Sequence, residues 1–435
     1  MDASPHLPRR LIEQCAALLD VGDGHFKPTL ASSVLDACEE LAPEGQAAFF
    51  HHLHHDLVAA PAAVDAAIAR WQATPTQQSA QHLHAVSESP RQALLRALNL
   101  AEDGTFRLVS MRSRFLEVLA EHPELEPVDQ DFLHLFRSWF NAGFLKLHEL
   151  SWDSPSSLVE HILRYESVHP LGGWADLRSR LEPTDRKCFA FLHPSMGDRP
   201  LIFVEVAVTE EVPSSTEFIT DLDRARQQSA RTVATLYSIN NTFPGLRGIP
   251  FGNHLIKQVI AHVRRHDPEV TTFVTLSPVP GFRRWLEAQP AGRAGGRSLA
   301  EEADAALRAG APAGAVAALR PAVVAAARSY LLESTDSRGR PVDRVARFHL
   351  RNGAVLDRIN WPASTEQHVL DQSCGLMVNY LYDAPGDRHG PGRTGHDRGE
   401  PDSTGFDGTG PERVPATATR GAGGAHRQTT TEETT

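Results

Sequence analysis

Cysteine is scarce in this 435-residue chain, and the four thiols, Cys15, Cys38, Cys188 and Cys374, include no Cys-x-x-Cys pair. Such spacing suggests neither a disulfide framework nor a cysteine-based zinc site, and a reducing, cytoplasmic setting is expected. A basic surplus is missing too. With 43 Lys and Arg against 54 Asp and Glu, the formal charge is −11. That balance argues against nucleic acid or an anionic membrane as the main partner, so an anionic ligand would need a local basic pocket. The amino-terminal "MDASPHLPRRLIEQC" lacks the apolar core of a signal peptide, and the final "TTTEETT" is not a peroxisomal address. No uninterrupted apolar run of bilayer length is expected. What the chain does have is 41% hydrophobic residues, enough for the cores of two or three domains.

The pattern changes along the chain. From Leu11 to about Leu150, stretches such as "LIEQCAALLD", "AAVDAAIARWQ" and "FLHLFRSWFNAGFLKLHEL" space apolar residues by three and four. Amphipathic helices do this, and a helical bundle is expected over 1–150. Beyond it, "CFAFLHP", "LIFVEVAVT", "TVATLYSI" and "TTFVTLS" are rich in β-formers, while "LIKQVIAHVRRH" is helical. The expected fold class is α+β: an all-helical bundle, then a mixed α/β domain over 151–383. Between Ala288 and Ala327 the composition turns to Ala, Gly and Arg, read as a flexible stretch leading into an Ala-rich helix. Residues 384–435 have almost nothing apolar to bury and are expected to be a disordered tail.

Three stretches carry candidate chemistry. In "FVTLSPVPGFRRW" a β-branched run, Thr271 to Thr275, gives way to Ser277, Pro278, Pro280 and Gly281. A strand stopped there would aim Ser277 off the sheet edge at a ligand, but Ser and Pro also favour ordinary turns, so both readings stand. In "LRGIPFGNHLIKQVIAHV" a loop with Gly245, Gly248 and Gly252 joins a strand to a helix start, where backbone N–H groups and the helix dipole suit a phosphate. It is neither a Walker A motif nor the dinucleotide G-x-G-x-x-G. In "RFHLRNGAVLDRINW", Asp343 to Arg351 reads as a short helix stopped at Asn352-Gly353, and Ala354 to Asn360 as a strand. His349 then lies in the last helical turn, and spacing alone leaves it structural or catalytic. "FFHHLHHDL" puts His51, His54 and His55 at metal-ligand spacing on an amphipathic helix, read as a solvated face, and His193 falls in a turn between strands.

The segments "VHPLGGWADLRSRL", "LYSINNTFPGLRGIPFGNHLIKQVI", "LSPVPGFRRWL", "RFHLRNGAVLDRINW" and "SCGLMVNYLY" resemble the malonyl-CoA decarboxylase family, in that order, and the similarity covers most of Leu11 to Tyr382. The resemblance implies a helical domain used in homo-oligomerisation, as a tetramer, and a GNAT-like catalytic domain that converts malonyl-CoA to acetyl-CoA and carbon dioxide. No metal or organic cofactor is implied. It assigns catalytic roles to Ser277, His349 and Tyr382. It assigns CoA binding to Arg247, Gly248, Ile249, Pro250, Phe251, Gly252 and Asn253, the loop resembling an Arg-x-x-Gly-x-Gly pyrophosphate cradle. On that reading Ser277 holds the malonyl carboxylate or the thioester oxygen, and His349, with an ordinary pKa near neutrality, returns a proton to the carbanion. Tyr382 is readable as a further donor or as a cap on the core. The pairs Arg264-Arg265 and Arg283-Arg284 are candidates for the adenosine phosphates or for surface charge.

One position departs from the family. Where its members carry glutamate in Gly-Val-Glu-Leu-Gly, this chain has Pro250 in Gly-Ile-Pro-Phe-Gly, which removes a carboxylate and one N–H. The N–H groups of Ile249, Phe251, Gly252 and Asn253 are the expected cradle. An acyltransferase of the same fold and a non-catalytic malonyl-CoA sensor are the alternatives, and release of carbon dioxide from malonyl-CoA without an acceptor separates them. Removing the chain beyond about Asp383 is expected to leave the melting temperature unchanged, and a large fall would show that the tail is packed.

Overall fold

The computed structural model describes residues 7–20, 27–217, 231–289, 298–308, 312, 314–382 and 412–413. The expected tail and much of the expected flexible stretch therefore lie outside the described residues. Glu412–Arg413 are the exception in the tail, pairing antiparallel with Ile359 and Arg358. Two compact units divide the chain: Met1–Tyr165 with Phe189–Phe203 and Asn240–Gln258, and Glu166–Cys188 with Val204–Ile239 and Val259–Thr435.

Among the described residues the first unit begins with eight α-helices: α1 (Arg9–Leu19), α2 (Pro28–Glu39), α3 (Pro43–His55), α4 (Pro61–Ala73), α5 (Gln77–Ser87), α6 (Pro90–Leu98), α7 (Gly104–Glu121) and α8 (Glu126–Trp139). Proline opens α2, α3, α4 and α6, in the first turn, where its missing N–H has no intrahelical partner to lose. Phe50, Phe115, Phe132 and Phe136 form a chain of tilted and edge-on rings, with centroids 4.7, 5.9 and 5.7 Å apart in turn. The expected helical pattern to Leu150 is corrected at its end. After Trp139 the Asn141 side chain accepts the Gly143 N–H, and Lys146–Leu150 is a strand, β1, before α9 (Ser156–Tyr165). Asn and Gly compete with the helical ladder, and this local chemistry overrides the apolar spacing that continued through it.

The second unit carries a mixed sheet in the order β3-β4-β5-β8-β7, with β6 beside β8. Its strands are β3 (Ile202–Thr209, from Val204 on), β4 (Val233–Asn241, up to Ile239), β5 (Thr272–Thr275), β6 (Ser277–Pro278), β7 (Ala354–Asn360) and β8 (Met377–Tyr382), while β2 (Arg186–Leu192) has its first three residues in this unit and the rest in the first. β4 and β5 run parallel, and β8 runs antiparallel to β5, β6 and β7. The helices are α10 (Trp174–Leu181), α11 (Phe251–His266, which starts in the first unit), α12 (Phe282–Glu287), α13 (Leu299–Leu307), α14 (Ala315–Leu332), α15 (Arg344–Arg351) and α16 (Gln367–Ser373). A helical region followed by a mixed-sheet region matches the expected fold class. α14 is 18 residues long and apolar enough by length and composition to cross a membrane, but Arg320 and Arg328 interrupt its apolar run, and its Val323, Val324, Ala327, Tyr330 and Leu331 are buried in the protein.

Every residue of β3 is buried, including Glu205 at 0% exposure. The Arg180 guanidinium on α10 donates to its Oε2 at 2.8 Å. Burial and the neighbouring Glu166 push the Glu205 carboxyl up to about 7 while Arg180 pulls it down. Removing one partner of such a pair leaves an uncompensated buried charge. Arg180→Met is therefore expected to cost about 3–5 kcal/mol in urea unfolding, and the double variant Arg180→Met with Glu205→Leu is expected to recover much of that loss.

Candidate active site

Ser277, His349 and Tyr382 meet in the second unit. The Ser277 Oγ lies 3.2 Å from His349 Nε2, and His349 Nδ1 lies 2.8 Å from the Tyr382 hydroxyl. All three are buried, with His349 only 3% exposed. Each arrives from a different element. Ser277 opens β6, Tyr382 closes β8, and His349 sits near the end of α15.

Ser277 stands in the two-residue strand β6, which pairs with β8 alone among the described strands, opposite Val378. Between β5 and β6 the ladder is interrupted: the Thr275 carbonyl accepts from Asn379 Nδ2 at 2.8 Å, and Thr275 Oγ1 accepts the Tyr380 N–H at 3.2 Å. Side chains replace backbone partners there. The same Thr275 Oγ1 lies 2.8 Å from Ser277 Oγ. Two proton arrangements satisfy these contacts. With Ser277 donating to Thr275, Nε2–H donates to Ser277 and Tyr382 donates to Nδ1; with the line reversed, Thr275 donates to Ser277, Ser277 to Nε2, and Nδ1–H to Tyr382.

His349 is aimed by a helix cap and by a glycine contact. Asp343, 2% exposed, accepts the N–H groups of Val345 and Ala346 at 2.9 and 2.8 Å, which fixes the first turn of α15. Tyr330 reaches the other Asp343 oxygen at 3.5 Å, and its hydroxyl would lie 2.3 Å from a Cβ at Gly281. Any side chain at Gly281 would displace that tyrosine. The glycine of "SPVPGF" is thereby tied through Tyr330 and Asp343 to the helix that holds the imidazole.

Thr275 and Tyr380 were not singled out from the sequence. The Tyr380 ring stacks on His349, with centroids 4.6 Å apart and planes at 22°, and its buried hydroxyl has no hydrogen-bond partner among the described residues. A usable signal existed, because residues two apart on a strand share a face: Tyr380 with the chosen Tyr382, and Thr275 with Ser277.

The loop Arg247–Asn253 belongs to the first unit. Arg112, 1% exposed, forms a two-pronged pair with Asp129 at 2.8 and 3.1 Å and donates to the carbonyls of Gly245 and Arg247 at 2.5 and 2.8 Å. The Gly245 N–H donates to Ser113 Oγ, and a Cβ on Gly245 would stand 2.0 Å from the Val109 carbonyl oxygen. Only glycine fits. Gly248 follows at φ +90°, while Pro250 is exposed and Phe251 and Gly252 are buried. Two of the four expected phosphate donors are already engaged, since Ile249 N–H donates to Leu246 and Phe251 N–H to the Ile249 carbonyl. Gly252 and Asn253 occupy the first turn of α11, where N–H groups have no partner within the helix. Sequence spacing gave no sign of Arg112 or Asp129. Among the arginine pairs, Arg283 is held by Asp304, Glu287 and the Leu370 carbonyl, and Arg264 lies over the Phe273 ring. His193 is held by the Trp139 carbonyl and the Ser195 N–H.

Burial lowers the pKa of His349 from 6.5 to about 3, so the near-neutral value expected of a free imidazole does not hold in the unliganded fold. Tyr382 and Tyr380 are pushed up by the same cause. Above pH 6.5 the imidazole is neutral both folded and unfolded. As pH falls from 6.5 toward 3, only the unfolded chain takes up the proton, so stability is lost across that window at about 1.4 kcal/mol per pH unit. His349→Gln, lacking that titration, is expected to lose stability less steeply below pH 6.5, read as urea midpoints over a pH series.

Comparison with known proteins adds a family to this geometry. The profile of the malonyl-CoA decarboxylase N-terminal domain matches residues 58–140, and that of the C-terminal domain matches residues 143–387. A goose (Anser anser anser) protein named mitochondrial malonyl-CoA decarboxylase is 33% identical over 325 residues, 68% of this chain and 64% of its own length. A rat (Rattus norvegicus) protein of the same name is 31% identical over 310 residues, 64% of this chain and 63% of its own. The chain thus spans just under two thirds of these curated relatives. Crystal structures of malonyl-CoA decarboxylase from Rhodopseudomonas palustris and Agrobacterium vitis cover 88% and 86% of this chain and 94% and 93% of their own, at 42% and 39% identity, with TM-scores of 0.79 and 0.80. With both domain profiles in register and two solved structures of that name matching nearly end to end, the chain belongs to the malonyl-CoA decarboxylase family.

Proposed function

We propose that this protein decarboxylates malonyl-CoA to acetyl-CoA, with Ser277, His349 and Tyr382 acting on the malonyl group. The observation that supports the reading is the buried hydrogen-bonded line from Tyr382 through His349 to Ser277. The reaction breaks the bond between the carboxylate carbon and the carbon next to the thioester. Its electron pair becomes the thioester enolate, carbon dioxide departs, and the enolate carbon takes one proton. Ser277 turns its hydroxyl from Thr275 to the malonyl carboxylate or thioester oxygen and orients the group. His349 starts neutral, and an arriving carboxylate raises its affinity for a proton by direct attraction, so the ring takes up one proton from solvent as the substrate binds. Nε2–H then delivers that proton to the enolate carbon, and Tyr382 steadies the ring from Nδ1. The Arg247–Asn253 loop is the proposed holder of the CoA pyrophosphate, through the N–H groups of Gly252 and Asn253.

The test is an assay of malonyl-CoA and methylmalonyl-CoA, each without an acceptor and with EDTA present, following carbon dioxide and the product thioester. Turnover without an acceptor is the expected result. Binding without turnover would support a sensor, and turnover only with an added amine would support an acyltransferase. His349→Asn and Ser277→Ala are each expected to lower kcat by roughly 10²–10⁴-fold, with unchanged circular dichroism. Near-normal kcat in either variant would remove that residue from the mechanism.

A further inference from the structure

We propose that His169, His368 and Glu366 form a site for a single divalent transition-metal ion, Zn(II) in the first instance, separate from the Ser277–His349–Tyr382 cluster. One donor atom from each of the three residues lies within 4.8 Å of the other two. Two imidazoles and one carboxylate are a donor set that suits Zn(II) and leaves a coordination position open.

The state of each ligand supports the assignment. His169 is 3% exposed, and among the described residues neither ring nitrogen has a hydrogen-bond partner of ordinary distance and angle, although the Tyr237 backbone lies close by. A buried imidazole with neither nitrogen in a well-formed hydrogen bond is uncommon, because burying poorly paired polar atoms is costly. His368 is oriented by its far side. Its Nε2 lies 2.9 Å from the Val168 carbonyl. A carbonyl only accepts, so Nε2 carries the proton and the Nδ1 lone pair faces the site, the usual outer-shell arrangement around a metal-bound histidine. Glu366 Oε2 stands 3.5 Å from that Nδ1, longer than a good hydrogen bond, and although Glu366 precedes α16 its side chain does not cap the helix. The backbone beneath His169 is preset: the N–H groups of Val168 and His169 both donate to Glu166 Oε1 at 2.8 Å.

The site lies across the sheet from the proposed chemistry. Tyr237, which packs on His169, shares a buried cluster with Val369, Leu276 and Met377. Side chains alternate along a strand, so Leu276 and Ser277 point to opposite faces. An ion there would tie the segment before α10 to the start of α16 without touching the reacting group.

The full-length chain, stripped with a chelator, is titrated with Co(II), whose visible ligand-field absorption reports histidine coordination, and Zn(II) is added to displace it. One Co(II) per chain, displaced by Zn(II), is expected. Because His169→Ala removes a buried ring and can fail to fold, the test rests on the half-buried His368 and Glu366. His368→Ala and Glu366→Gln are each expected to weaken the signal's affinity at least tenfold with circular dichroism unchanged. His51, His122 and Glu124 form a second, more exposed cluster beside a cavity of about 860 Å³. His122→Ala is the control and is expected to leave the His368-dependent signal intact. Equal binding by wild type and His368→Ala, absorption lost with His122→Ala instead, or no binding by the wild type would each overturn the proposal, the first two showing an adventitious ion only.

Discussion

The buried carboxylate of Asp343 is the contact on which the polar cluster depends. It caps α15 through two backbone N–H groups and meets Tyr330, and α15 is the element that brings His349 to Ser277 and Tyr382. Desolvation raises its pKa, yet three donors keep it engaged. An ordinary helix end frays, and an imidazole on a frayed turn would sample several orientations. Here the short helix is clamped at its start, and its last turn inherits that order.

A neutral, dehydrated histidine defines the chemistry available in the unliganded fold. His349 lies against Tyr380 and between two hydroxyls, and burial keeps it uncharged at ordinary pH. Under the proposed reaction, the substrate's own charge makes the acid. Such coupling confines the charged imidazole to molecules that hold a carboxylate, because without the anion the desolvation cost of imidazolium goes unopposed.

Local chemistry made parts of this legible in advance. Asp343, Asn352 and Gly353 are residues that start and stop helices by their own hydrogen bonds or by permitting positive φ, so α15 and β7 could be read where they stand. Ser277 was legible as a residue of interest but its pairing with β8 was not, because its partner Val378 lies about a hundred residues on and pairing over that distance leaves no local trace. The clamp of Arg112 and Asp129 on Gly245 and Arg247 is equally non-local. What the chain did display there was the glycine itself, whose cause is a carbonyl of α7 rather than a ligand. The helical periodicity that ran on to Leu150 misled for the opposite reason: apolar spacing persists through Asn141 and Gly143, and two small polar groups decide the outcome.

Glu205 gives β3 a property that none of its apolar neighbours could supply. An all-buried strand of Ile, Phe, Val and Ala reads much the same after a shift of one residue, since both faces are greasy. With the carboxylate in the middle, a slip by one would carry Glu205 to the opposite face, away from Arg180, and strand a charge in the core. The ion pair thus works as an indexing mark, setting which of several similar alignments the chain accepts when the sheet assembles.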